Sequence, residues 1–354
     1  CQIVDKIELA AQEALLELFI PQGLRTQYHA NVQPHAGSAA NFAVYEALLS
    51  PGETILGMSL AHGGHLTHGH HANFSGKLYS VAHYGVNPST GLLDYEAIRS
   101  IAKECRPKLI IAGASAYSRT IDFAAFKEIA QEVNAYFLAD IAHIAGLIAA
   151  GQHPSPVPHA DIITSTTHKT LRGPRGAFML CKQELSQKID AGIMPGSQGG
   201  PFMHTIAAKG LACMEAQSNA FKEYAVRTCK AASALAHELS MRGYHIVSGG
   251  TDTHLFLIDL PRSAGHEMLS GKAAEELLEN AGIVVNRNTV PGETRSPLTT
   301  SGIRIGLAAM ATRGITEADM PRLAEMIDTV LRERDSEEVR DEIRSLALRC
   351  KLPD

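Results

Sequence analysis

Asp161-Ile162-Ile163-Thr164-Ser165-Thr166-Thr167-His168-Lys169-Thr170 opens on an apolar pair and closes on hydroxyls, an imidazole and an amine. The spacing predicts a short buried strand that runs into a turn, with Gly173, Pro174 and Gly176 just beyond. In an open α/β sheet, ligands gather where parallel strands end. Lys169 therefore has two readings: a solvated lysine in a polar loop, or a nucleophile that forms a Schiff base with a carbonyl. Among carbonyl partners of lysine, pyridoxal phosphate is the commonest.

A second stretch bears on that choice. Ala135-Tyr136-Phe137-Leu138-Ala139-Asp140 reads as a buried strand ending on a carboxylate, with His143 three residues later. An aspartate at a strand end is often only a turn or cap residue. Lys169, however, follows 29 residues after Asp140, room for one connection and one further strand. Both would then emerge on the same edge of one sheet. A carboxylate beside a pyridine nitrogen keeps that nitrogen protonated, and the His143 imidazole could stack on the ring or bond its phenolic oxygen. A phosphate would need its own cradle. Pro34-His35-Ala36-Gly37-Ser38-Ala39-Ala40-Asn41 offers one, with Gly37 and Ser38 opening a helix predicted over 38–49. Amides at a helix start bind phosphate without a lysine, although the same pair also serves as an ordinary cap.

Short apolar runs at 54–58, 108–112, 135–139, 161–164 and 177–181 alternate with helical spacing at 95–105 and 123–133. Such alternation predicts an α/β fold built on a mostly parallel sheet. After Pro201 an alanine-rich helical region runs to Met241, followed by a strand over 254–259, a helix over 272–281 and a strand over 283–286. Two domains are expected, 1–216 and a smaller α+β unit, 217–354. With 354 residues, 45% of them hydrophobic, the chain can bury a large core. A net charge of −5 and the lack of a basic run argue against nucleic acid or an anionic membrane surface as partners. Cys1, Cys105, Cys181, Cys213, Cys229 and Cys350 show no C-x-x-C spacing and read as reduced thiols of a cytoplasmic protein. No apolar run is long enough to span a membrane. Arg304, flanked by Ile303 and Ile305, needs an anion if buried, either a protein carboxylate or that of a substrate. His62, His65, His68, His70 and His71 crowd one glycine-rich loop, but no cysteine or carboxylate supports a metal site there, so none is expected.

Five stretches together closely resemble the serine hydroxymethyltransferase family: Asn31-Val32-Gln33-Pro34-His35-Ala36-Gly37-Ser38, Leu60-Ala61-His62-Gly63-Gly64-His65-Leu66-Thr67-His68-Gly69, Thr166-Thr167-His168-Lys169-Thr170, Pro195-Gly196-Ser197-Gln198-Gly199-Gly200-Pro201 and Thr300-Ser301-Gly302-Ile303-Arg304. The likeness keeps their order and runs to about Leu331. It implies a fold-type I pyridoxal-phosphate enzyme that moves the hydroxymethyl carbon of serine to tetrahydrofolate, giving glycine and 5,10-methylenetetrahydrofolate.

The resemblance also implies site roles. Lys169 would carry pyridoxal phosphate and Asp140 would face its ring nitrogen. His65 would stack on the ring, Ser115 and His143 would lie near its hydroxyl, and Gly37 with Ser38 would hold the phosphate. Thr166 and His168 would shape the surroundings of the lysine. Arg304 would grip the substrate carboxylate. Leu60, Gly64, His65, Leu66, Asn288, Ser296, Pro297 and Leu298 would approach the folate, although Leu298 stands where an aromatic residue is common. Gly199 and Gly200 would reach the phosphate of a second copy, making a homodimer or homotetramer. The general acid–base glutamate of the family, with a tyrosine and a serine, would lie upstream of Cys1. That predicts a chain of low activity with apolar surface exposed around Ile3, Ile7, Leu15 and Phe19. The rival readings are a folate-independent, threonine-type aldolase and a cofactor-binding remnant.

Overall fold

Leu109-Ile110-Ile111-Ala112 is buried along its whole length because helices cover both faces of the sheet at that point. Ile110 and Ala112 share a cluster with Phe126 and Ile129 of the helix Phe123–Glu132. Leu109 and Ile111 share the opposite one with Val44 and Tyr45 of the helix Gly37–Leu48. The same period-two division holds for Phe137 against Leu138. The computed structural model describes residues 2–333 and 337–352, so Cys1 lies outside the described residues.

Seven strands form the large sheet: β1 (Tyr28–Asn31), β2 (Thr54–Met58), β3 (Ser80–Tyr84), β4 (Leu109–Ala112), β5 (Tyr136–Asp140), β6 (Ile162–Thr166) and β7 (Ala177–Lys182). Their order is β1-β7-β6-β5-β4-β2-β3. The four ladders from β3 through β6 are parallel, and the two that attach β7 and β1 are antiparallel. Aspartate caps start the crossover helices: Asp94 accepts from Ala97 N, and Asp122 from Ala124 N and Ala125 N. A second sheet joins β8 (His245–Ile246), β9 (Leu255–Asp259), β10 (Asn286–Asn288) and β11 (Gly302–Gly306) in the order β10-β11-β9-β8, antiparallel throughout. The helix Asn219–Met241 serves both cores. Phe221, Tyr224 and Ala225 sit under the large sheet, whereas Ala232, Leu235 and Leu239 pack with Phe256 and Ile258. The helix Glu337–Arg349 lays Val339 and Ile343 on the second core.

Three expectations change here. β1 and β3 escape the apolar pattern as sheet edges: β3 is only partly buried, and β1, though largely buried, places His29 and Asn31 against Asp190. The strand expected over 283–286 lies instead at Asn286–Asn288. It is an edge strand whose polar residues pair with Arg304, Ile303 and Gly302, while Val284 points to solvent, Val285 enters the core and Ile283 packs against its margin. Leu15 and Phe19 are not exposed; at 1% and 7% they pack into the large core, whereas Ile3, at 76%, is open. No helix among the described residues is long and apolar enough to cross a membrane.

Candidate active site

β5 delivers Asp140 and β6 delivers the turn that carries Lys169, and the two strands pair side by side in parallel. Both residues line one pocket with Gly37, Ser38, His65, Ser115 and His143. Asn41 and His68 join them there, although neither belonged to the expected set.

Asp140 is the hub. Its Oδ2 accepts from Asn41 Nδ2 at 2.9 Å and is 3.0 Å from His68 Nε2; its Oδ1 accepts from Ala142 N at 3.1 Å. Burial opposes ionisation, but the hydrogen bonds from His68 and Asn41 outweigh it and hold the carboxyl well below the usual carboxylate range. His68 Nδ1 accepts from His65 N at 3.3 Å, which leaves the ring proton on Nε2, facing the carboxylate. Thr164 donates to Asn41 Oδ1, Asn41 donates to Thr67 Oγ1, and the Thr67 hydroxyl in turn meets His65 Nδ1 at 2.8 Å. With Thr67 N also donating to Nδ1, His65 keeps its proton on Nε2. Burial lowers the His65 pKa, with Asp140 partly opposing.

Lys169 sits in a turn closed by Arg172 N to Lys169 O and by Gly173 N to Thr167 O. Its amine pKa is lowered, mainly by burial; Asp140 opposes, and Arg304 and Arg175 add to the lowering. That favours the free base, the form that attacks a carbonyl. His143 is half-buried, and its pKa falls well below the ordinary value through desolvation, then through Lys169, His254 and Arg304. Thr166 and His168 stand behind the pocket. Thr166 Oγ1 donates to Ala142 O, and its methyl fills the space where a Cβ on residue 37 would lie, 2.8 Å away. His168 turns toward Arg175 and Gly176.

At the other end, the helix Gly37–Leu48 begins without a side-chain cap. The amides of Gly37 and Ser38 would need Gln33 O and Pro34 O as helical partners, and neither bond forms. Gln33 O accepts from Gln198 instead, and Pro34 O accepts from Lys209 and Ala177 N. Unpaired amides on the positive end of a helix fit a phosphate. The lysine, the carboxylate and this helix start together match what pyridoxal phosphate requires.

Arg304 projects from β11. Nη1 donates to Ser115 O at 2.7 Å and Nη2 to Asn286 Oδ1 at 3.0 Å. Among the described residues no carboxylate lies within 4.0 Å of it, so the protein-side ion pair is not made. Leu60 and Leu66 are exposed at the loop rim, and Thr289 Oγ1 donates to Ala61 O, which brings the Asn288 segment beside them. Asn288 Nδ2 donates to Thr289 O. Ser296 Oγ accepts from Leu298 N on an outer loop with Pro297, and Leu298 is 75% exposed. Gly64 has a packing reason of its own: a Cβ there would lie 2.0 Å from Met58 O. Gly199 and Gly200 are exposed and outside the pocket of their own chain.

His254 is the other residue that sequence reasoning passed over. It is buried, stacks on His143 at 5.7 Å, and its Nδ1 has no partner among the described residues. Burial, reinforced by Arg304 and Lys169, brings its pKa down to about 3. Unfolded, it would titrate near the ordinary value of about 6.5. The unfolded chain therefore binds one more proton in that window, and stability falls as pH drops through it. Denaturation in urea between about pH 4 and 6 should show His254→Phe flattening this slope by about 1.4 kcal/mol per pH unit. An unchanged slope would mean that His254 is protonated in the fold.

Residues 1–327 match the family model described as serine hydroxymethyltransferase, nearly the whole chain.

Proposed function

Since the chain belongs to the serine hydroxymethyltransferase family, whose members are fold-type I enzymes that depend on pyridoxal phosphate, we propose that it transfers the hydroxymethyl carbon of serine to tetrahydrofolate. The products are glycine and 5,10-methylenetetrahydrofolate. The observation that carries this reading is the convergence of Lys169, Asp140 and the uncapped helix start on one pocket, with Arg304 of the second sheet bonded to the carbonyl of Ser115, one of the lining residues, and without a carboxylate partner among the described residues.

When bound, the cofactor supplies an aromatic ring that draws electrons from the substrate's Cα. Lys169, whose amine lines the pocket, would be the residue that holds it. Asp140, ionised and braced by Asn41 and His68, keeps a proton on the ring nitrogen. His65, Ser115 and His143, which line the same pocket, would be the side chains that hold the cofactor's ring and ring hydroxyl. Arg304 exchanges Ser115 O and Asn286 for the substrate carboxylate and so orients Cα and its bonds. Thr166 and His168 keep the lysine turn in shape. Leu60, Gly64, Leu66, Asn288 and Ser296 to Leu298 form the folate side. Gly199 and Gly200, turned away from their own pocket, complete the phosphate cup of a second copy in a homodimer or homotetramer. The free cysteines suit a cytoplasmic setting.

The test is to supply the full chain with pyridoxal phosphate, serine and tetrahydrofolate and to measure glycine and 5,10-methylenetetrahydrofolate together. Arg304→Ala should keep the absorption of the bound cofactor but weaken serine binding by about 1.5–3 kcal/mol, the scale of a charged hydrogen-bonded pair. Faster cleavage of threonine without folate than of serine with it would overturn the transferase reading in favour of an aldolase. Unchanged serine titration in the variant would remove Arg304 from the site.

A further inference from the structure

Lys209, in the helix Met203–Glu215, is an ammonium only 3% exposed. Its Nζ donates to Val32 O at 2.6 Å and to Pro34 O at 2.9 Å, and no carboxylate among the described residues lies within 4.0 Å. Glu8, the carboxylate whose charge acts on Lys209, is bonded by Gln33 Nε2 instead. Burial brings the Lys209 pKa down to about 8, with Cys213 and Glu8 opposing. Room for the side chain comes from Gly176, where a Cβ would lie 2.5 Å from Lys209 Cε. An aliphatic side chain of equal length would fill this space without the cost of burying a charge. What the ammonium adds is its hold on two carbonyls.

Those carbonyls belong to the strap that leads into the candidate phosphate cradle. Pro34 O is the acceptor that a helix would offer to Ser38 N, and Lys209 takes it together with Ala177 N. Gln198 grips the same strap from the other side, donating to Gln33 O at 3.1 Å and accepting from His35 N at 2.9 Å. With these acceptors engaged, the helix cannot extend backward by a turn, and the amides of Gly37 and Ser38 stay free. We propose that Lys209 is a positioning residue for the phosphate of the cofactor: it holds the strap Val32-Gln33-Pro34-His35 so that the amides of Gly37 and Ser38 face the anion. This inference rests on the pyridoxal-phosphate reading above.

Titrating the full chain with pyridoxal phosphate and, separately, with pyridoxal reads the phosphate end apart from the lysine end. Absorbance of the bound aldehyde reports both. In Lys209→Met the affinity for pyridoxal phosphate should fall about tenfold or more while that for pyridoxal stays within about twofold. A merely structural role would weaken both ligands alike. Gln198→Leu, at a half-buried position outside the core, should move the same ratio in the same direction and carries the test if Lys209→Met fails to fold. An unchanged ratio in the variants that fold, or equal weakening of both ligands, overturns the proposal. A wild-type chain that takes up neither aldehyde overturns the cofactor reading and this inference with it.

Discussion

Replacing Lys169 by alanine is expected to reduce covalent retention of pyridoxal phosphate to background. Among the described residues, Lys169 is the one amine that lines the pocket holding Asp140, His65 and Ser115. The other lysines near the sheet are committed elsewhere. Lys209 is sealed behind Pro34 O, and Lys182 donates to Tyr28 Oη and Pro158 O. The wild-type chain, reduced with borohydride and digested, should yield one labelled peptide, containing Lys169; the variant should yield none. Label on another lysine would sink the assignment. A second readout separates chemistry from folding. Burial lowers the Lys169 amine pKa, so the charged form is disfavoured in the fold relative to the unfolded chain. Stability that depends on this group therefore falls as pH drops toward its lowered pKa, because the unfolded state binds the proton more readily. Removing the amine removes that cost. The cofactor-free alanine variant should melt at the same temperature as wild type or higher, and a large drop would mean that Lys169 is a structural strut.

The sheet was legible where its strands are buried on both faces. Leu109 to Ala112 and Phe137 to Ala139 are continuous apolar runs because helices cover each side, and composition alone shows that. The meeting of Asp140 and Lys169 was legible because 29 residues fit one crossover and a neighbouring parallel strand, as β5 and β6 prove to be. Edge strands were not, since β1, β3 and β10 need few apolar residues. Leu15 and Phe19 were misjudged for another reason: the expectation took an upstream segment to be their cover, whereas the large core covers them. The polar bracing of the site was out of reach for a different cause. Asn41 and Asp140 are 99 positions apart, and Lys209 and Val32 are 177 apart, and neither pair leaves a local pattern. Asn41 did leave one trace, as the polar residue inside Ala39-Ala40-Asn41-Phe42-Ala43-Val44, one turn beyond Gly37. A buried amide in such a run needs partners, and here they are Asp140, Thr67 and Thr164.

Asp140→Asn should cost the reaction more than it costs the fold, and the network explains why. Every described neighbour of the two carboxylate oxygens is a donor: Asn41 Nδ2 and His68 Nε2 on Oδ2, Ala142 N on Oδ1. An amide can present its oxygen to only one of these sets. If the oxygen stays with Asn41 and His68, the new NH2 group meets Ala142 N, donor against donor. If it turns round, two bonds are lost, and His68 cannot simply shift its proton because Nδ1 already accepts from His65 N. The first arrangement loses one bond, a stability penalty of about 1–3 kcal/mol. The catalytic loss is separate, since a neutral amide cannot hold a proton on the ring nitrogen by charge. Removing one preorganised electrostatic group typically lowers kcat by about 10²–10³. Comparing kcat with urea unfolding in the same variant decides between the two. The expected result is a large fall in kcat, retained covalent attachment at Lys169 and a modest loss of stability. A variant with wild-type kcat would show that the carboxylate braces Asn41 and His68 and takes no part in the chemistry.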